Sequence, residues 1–123
     1  MNLSKDKKTI LVVEDEYDIL FSVKSFLESE GYEVFTAQNG QEAFELLKKK
    51  KMPHLILLDM KMPTMDGWEF SRRFYKAYDN KAPLIVMTAA ANAEERAREA
   101  HANGWIGKPF TLEDVSDQIK KFT

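Results

Sequence analysis

The chain has 123 residues, 18 Lys and Arg against 20 Asp and Glu, no Cys and 44% hydrophobic residues. This is the profile of one globular domain able to bury about two thirds of its unfolded surface. Without cysteine, disulfide frameworks, thiolate metal sites, thiol nucleophiles and lipidated cysteines are excluded. A formal net charge of −2 supplies no basic footprint for nucleic acid or anionic lipid. The polar start, Met1 to Lys8, is not expected to be a signal peptide, and no apolar run approaches the ~20 residues of a membrane helix. A cytoplasmic location is expected, with no nucleic-acid and no membrane partner.

Short apolar runs alternate with longer amphipathic stretches. Thr9 to Val13 is a buried strand, followed by helical spacing of Ile19, Leu20, Val23, Phe26 and Leu27 that Gly31 ends. Glu33 to Thr36 is a second strand, and Asn39-Gly40 opens a helix carrying Ala43, Phe44 and Leu47. Leu55 to Leu58 is a third strand. After Pro63 and Gly67, Phe70, Phe74 and Tyr78 recur at steps of four, and Pro83 to Met87 is a fourth strand. An alanine-rich helix is expected over 93 to 102, a brief strand at Trp105-Ile106, and a last helix along Leu112, Val115, Ile119 and Phe122.

Five strands alternating with five helices predict an α/β domain: a parallel sheet with helices on both faces, joined by right-handed crossovers. Continuously apolar strands agree, because such a sheet is covered on both sides. The expected order is 2-1-3-4-5, which puts a site at the carboxyl ends of strands 1 and 3. The domain is expected to span 9 to 123, residues 1 to 8 forming an N-terminal extension, with no output module.

Those strand ends carry the polar residues. Strand 1 runs into Glu14-Asp15-Glu16, strand 3 into Asp59 and strand 4 into Thr88, while strand 5 is followed by Lys108-Pro109. Carboxylates ~5 Å apart repel by about 3 kcal/mol per pair at an effective dielectric near 20, so Glu14, Asp15 and Asp59 require compensation. Lys108 and a divalent cation are the candidates, and an oxygen-only donor set on an open rim suits Mg²⁺. A carboxylate beside Mg²⁺, a lysine and a hydroxyl is arranged to receive a phosphoryl group as an aspartyl phosphate.

The stretches ILVVEDE, LILLDM around Asp59, MPTMDG at 62 to 67, IVMTAA around Thr88 and KPF at 108 to 110, in this order, resemble the response-regulator receiver domain. That is the CheY-like, flavodoxin-like phosphoacceptor of two-component signalling, and the resemblance covers essentially the whole chain. It implies that Asp59 is phosphorylated by a sensor histidine kinase, a histidine phosphotransfer protein or a small acyl phosphate, the domain promoting its own phosphorylation and dephosphorylation without being a metabolic enzyme. It further implies that Glu14, Asp15, Asp59 and the Lys61 carbonyl hold Mg²⁺, and that Thr88, the Ala89 N–H and Lys108 hold the phosphoryl oxygens. The Lys108-Pro109 bond is expected to be cis. A switch through Thr88, Trp105 and Pro109 would alter the surface of helix 4, strand 5 and helix 5 toward a downstream protein, in a monomer or a phosphorylation-linked dimer. Helix 4 should be loosely docked, since its inward positions Ala93, Ala97 and Ala100 bury few methyl groups.

Two features depart from the family pattern. Trp105 stands where Tyr or Phe is commoner, and Lys61 and Ala90 flank the path of a hydrolytic water; because Ala90 cannot orient it, no fast self-dephosphorylation is expected. Simpler readings compete residue by residue. Glu14-Asp15 could be an acidic helix cap and Asp59 a turn cap. His54 and His101 are expected at the surface or its boundary, Lys48 to Lys51 as a solvated face, and the aromatic residues Trp68, Phe70, Phe74, Tyr75 and Tyr78 mostly as core. Dinucleotide and P-loop motifs are absent: VEDEYD follows strand 1, and Ala102 stands where a P-loop needs glycine. A haloacid-dehalogenase-type phosphatase would need a second Asp at position 61, which is Lys. The alternatives kept open are a phosphorelay intermediate and a receiver-fold interaction module that works without phosphorylation.

Overall fold

A computed structural model describes residues 7–62, 65–79 and 81–123. Five parallel strands, β1 (Thr9–Val13), β2 (Glu33–Ala37), β3 (Leu55–Asp59), β4 (Leu84–Ala89) and β5 (Gly104–Lys108), form one sheet in the order β2-β1-β3-β4-β5. The helices are α1 (Tyr17–Ser29), α2 (Gly40–Lys49), α3 (Gly67–Tyr78), α4 (Ala93–Glu99) and α5 (Leu112–Phe122), with a 3-10 turn, Ala90–Asn92, before α4. Among the described residues no helix is long and apolar enough to cross a membrane. This is the expected fold class and strand order.

Because successive strand side chains point to opposite faces, the apolar strands feed two cores. Leu11, Val13, Ile56, Leu58, Leu84 and Val86 pack with Phe70 and Phe74 of α3, Leu47 of α2 and Ala97 of α4. Ile10, Val12, Leu55, Leu57, Ile85 and Met87 pack on the other side with Leu20, Val23 and Leu27 of α1 and Val115 and Ile119 of α5. Helix starts are fixed by side-chain caps: Asn39 accepts from the Glu42 N–H at 2.9 Å, Asp66 from the Glu69 N–H at 3.0 Å, and Thr111 forms a reciprocal capping box with Asp114. Gly31, at φ 97°, ends α1.

Three boundaries differ from expectation. α4 stops at Glu99, not at 102, because His101 adopts φ 54° and the Ala102 N–H turns back to the Ala97 carbonyl at 2.8 Å. β5 runs from Gly104 to Lys108, because its pairing with β4 continues to Ala89 opposite Lys108; the lysine lies within the strand. β4 begins at Leu84, one residue after Pro83, and carries Thr88 and Ala89 at its end.

Among the aromatics of α3, Phe70 and Phe74 are fully buried, Trp68 and Tyr78 are half-buried, and Tyr75 is exposed. His54 and His101 are exposed, as are Lys48 to Lys51. The His54 Nδ1 accepts from the Thr9 N–H at 2.9 Å, so that ring also finishes the start of β1.

Gly107 is where β5 and the turn after β4 come closest: a Cβ there would lie 2.6 Å from the Ala90 Cα. That contact is with backbone and cannot relax by a rotamer change. Gly107→Ala is therefore expected to destabilise the domain by about 1–3 kcal/mol, read as a lower denaturation midpoint in urea with an unchanged slope.

Candidate functional site

The sheet order brings the carboxyl ends of β1, β3, β4 and β5 to one rim. Glu14 follows β1 directly and is completely buried, its N–H donating to the Ala37 carbonyl at 3.0 Å. Asp15, next in the chain, is exposed. Asp59 is the last residue of β3 and 4% exposed, and Thr88, 6% exposed, pairs with Gly107 across β4 and β5. Ala89, opposite Lys108, is exposed. Lys61 is exposed beyond Asp59, its N–H 3.4 Å from Asp59 Oδ1. The Lys108-Pro109 peptide bond is cis, as expected. Trp105, 43% exposed, lies farther back on β5 and faces outward beside Asp114, Asp117 and Gln118 of α5.

Lys108 Nζ lies 3.0 Å from Glu14 Oε1 and 3.4 Å from Asp59 Oδ1, joining both buried carboxylates. One cation so placed cannot neutralise three carboxylates whose ligand atoms all lie within 4.8 Å of one another. Burial first, and the Glu14 charge next, push Asp59 up to about 7 despite Lys108. Burial works against the charge on Lys108 as well, but its close pairing with the Glu14 carboxylate, and after it with Asp59, outweighs that and holds the ammonium above its ordinary range.

The capping alternatives fare differently. α1 begins at Tyr17 behind Glu16, which makes no side-chain cap bond, and Glu14 Oε2 accepts only from the Glu16 N–H at 3.2 Å, short of the helix. From the backbone Asp59 receives one long bond, from the Lys61 N–H at 3.4 Å. Neither carboxylate is used up by the backbone.

The donor set fits a hard divalent cation on this chain's own chemistry. Its ligands are carboxylate oxygens, and Glu14 Oε1 is buried with no hydrogen bond. The 3.0 Å approach of Lys108 to that atom is a close ion pair without hydrogen-bond geometry, so a lone pair of Glu14 stays free for a metal.

Two positioning residues carry little signal in the sequence beyond being glycine. A Cβ at Gly67 would lie 2.7 Å from the Met60 Cα and 3.0 Å from the Asp59 carbonyl, so glycine lets the start of α3 sit against the end of β3. Gly107 does the same between Lys108 and the turn that follows Thr88 and Ala89. Trp68, one of the aromatic residues expected mostly as core, lines the rim cavity with Asp15, Met60, Lys61, Met62 and Asp66.

The raised Asp59 carboxyl gives a prediction with a definite sign. Between its ordinary value of 3.8 and its folded value of about 7, the native state holds a proton that the unfolded chain has released. This contribution to stability is full below pH 3.8 and is lost as pH rises through about 7. In EDTA, Asp59→Asn is expected to be more stable than the wild type at pH 8 by roughly 1–3 kcal/mol, with the difference shrinking toward pH 5, as read by denaturant unfolding at each pH. A variant no more stable at pH 8 than at pH 5, relative to wild type, would remove the repulsion from the site.

The family model for the response regulator receiver domain matches residues 10–120. Sporulation initiation phosphotransferase F of Bacillus subtilis is 36% identical over 115 residues, covering 92% of this chain and 91% of that protein. Transcriptional regulatory protein CrdR of Helicobacter pylori is 39% identical over 118 residues, 94% of this chain, which spans only 55% of that regulator. Among solved structures, the chemotaxis response regulator CheY4 of Vibrio cholerae superposes with a TM-score of 0.86 at 30% identity, covering 95% of this chain and 99% of that one. The response regulator TrrA of Thermotoga maritima, in complex with Mg(2+)-BeF, gives 0.82 at 32% identity, covering 94% and 99%. The chain belongs to the response regulator receiver domain family of two-component signalling.

Proposed function

We propose that the domain accepts a phosphoryl group on Asp59 from a phosphohistidine, with Mg²⁺ at Glu14, Asp15 and Asp59, and signals through an altered protein-binding surface. One observation carries this reading: the nearly buried Asp59 carboxylate stands 3.4 Å from Lys108 Nζ, and the buried Glu14 Oε1 beside it is ion-paired to the same lysine but accepts no hydrogen bond. An Asp59 oxygen forms the new bond to phosphorus while the P–N bond breaks, and the imidazole leaves with that electron pair. Lys108, freed from full engagement with Asp59, donates to one phosphoryl oxygen, and the Thr88 hydroxyl and Ala89 N–H donate to another. Bound Mg²⁺ would supply the remaining positive charge between carboxylates and phosphoryl group, with the Lys61 carbonyl completing its ligands. The Mg(2+)-BeF complex of the Thermotoga relative supports the choice of ion.

The receiver is proposed to span 9 to 123, with 1 to 8 as an extension. Donor docking is assigned to the apolar groove beside Lys108 and Pro109, lined by Ile19 and Ser22 of α1 with Phe110 and Leu112; α1 also carries the exposed, stacked Tyr17 and Phe21. The output surface is assigned to α4, β5 and α5, where Trp105 is exposed and α4 is held by the small buried residues Ala93, Ala97 and Ala100. A second reading, transfer of the phosphoryl group onward to a histidine protein, is favoured by the likeness to a Bacillus protein called a phosphotransferase over nine tenths of its length.

Acetyl phosphate with Mg²⁺ should add the mass of one phosphoryl group in intact mass spectrometry, and neither EDTA-treated protein nor Asp59→Asn should gain it. No gain in the wild type, or a gain that survives Asp59→Asn, would overturn the proposal. Transfer of the label from the phosphorylated domain to a histidine phosphotransfer protein would favour the relay.

A further inference from the structure

α4 is short and docks on the sheet through small side chains. It has seven residues, its N-cap Asn92 makes no side-chain cap bond, and its buried side chains are alanines. Among the described residues, one side-chain hydrogen bond leaves α4 for another element: the Trp68 indole N–H donates to Glu99 Oε1 at 2.8 Å. Arg96 closes the arrangement, its guanidinium donating to both Glu99 oxygens at 3.1 and 3.2 Å and lying 5.4 Å from the centre of the Trp68 ring. The indole bond first, and Arg96 after it, hold the exposed Glu99 carboxyl below its ordinary range against the opposing effect of desolvation, so Glu99 is ionised at neutral pH.

The other end of this clamp reaches the acidic site. Trp68 is the second residue of α3, directly after Gly67, whose N–H donates to the Met60 carbonyl at 3.0 Å and whose backbone rests on the end of β3. Trp68 lines both the rim cavity, with Asp15 and Lys61, and the groove that holds Tyr75, Glu99 and Ala100. The indole therefore stands between the wall of the site and α4. Through the Gly67 bond to Met60, the residue after Asp59, a shift at the end of β3 reaches Trp68 and, through its indole N–H, Glu99.

We propose that Trp68 couples the acidic site to α4, so that cation binding at Glu14, Asp15 and Asp59 tightens the docking of α4 through the Trp68–Glu99–Arg96 clamp. The coupling rests on the acidic cluster being a cation site. Because linkage is reciprocal, releasing the clamp must also weaken cation binding.

Amide hydrogen exchange of the full chain, with and without saturating Mg²⁺, tests this in the wild type, Trp68→Phe and Glu99→Ala. Glu99 is on the surface, so its variant is expected to keep the fold, which protected amides in β1 and β3 verify. Without metal, both variants should exchange the amides of α4 about fivefold faster than wild type, the loss of one hydrogen bond. Mg²⁺ should slow exchange in α4 of the wild type by roughly fivefold and leave both variants unresponsive. Calorimetry on the same samples should show Mg²⁺ binding in all three, weakened severalfold in the variants. Bound Mg²⁺ with α4 exchange unmoved in the wild type, or an undiminished response in Trp68→Phe and Glu99→Ala, would overturn the coupling alone. Absence of Mg²⁺ binding in the wild type would overturn the cation site itself and the coupling with it.

Discussion

The rest of the molecule is organised around an uncompensated charge. Three carboxylates converge at the rim where β1 and β3 end, two of them nearly or wholly buried, and the single ammonium of Lys108 bridges only Glu14 and Asp59. Repulsion of about 3 kcal/mol per close pair is a large fraction of a small domain's net stability. Two cores packed against a fully covered sheet make it tolerable. The strain is directional: it is relieved by positive charge arriving from solvent at the open rim, and by a proton when no cation is present. That relief is the electrostatic ground for the cation proposed at this rim.

Tolerance of that charge depends on backbone details far from obvious in composition. Gly67 brings α3 against the end of β3, and Gly107 seats the turn after β4 on β5. These contacts hold the end of β3 against α3 and the end of β5 against the turn after β4. The same closeness that shapes the site ties it to its surroundings: α3 begins directly beneath Asp59, and its second residue reaches across to α4.

Much of this was legible in the residues. Continuous apolar strands announced a sheet covered on both faces, alternation with helices announced parallel pairing, and the switch point then located Glu14, Asp15 and Asp59 before any coordinates. What stayed hidden depends on tertiary contact. The strand Gly104–Lys108 contains two glycines and little apolar signal, and it extends to Lys108 because β4 offers partners. The end of α4 is set by a left-handed histidine, a conformation no local pattern there demands. Trp68 was indistinguishable from a core aromatic, because spacing along a helix cannot show that an indole N–H meets a carboxylate thirty-one residues away.

Charge relief at the rim can be measured directly by titrating Mg²⁺ into metal-free protein at pH 7 in buffers of differing ionisation enthalpy. With Asp59 near half protonation, binding should release a substantial fraction of a proton per Mg²⁺, and Asp59→Asn should bind more weakly with that release abolished. Binding without proton release, or equal affinity in Asp59→Asn, would contradict a site driven by the buried carboxylate of Asp59.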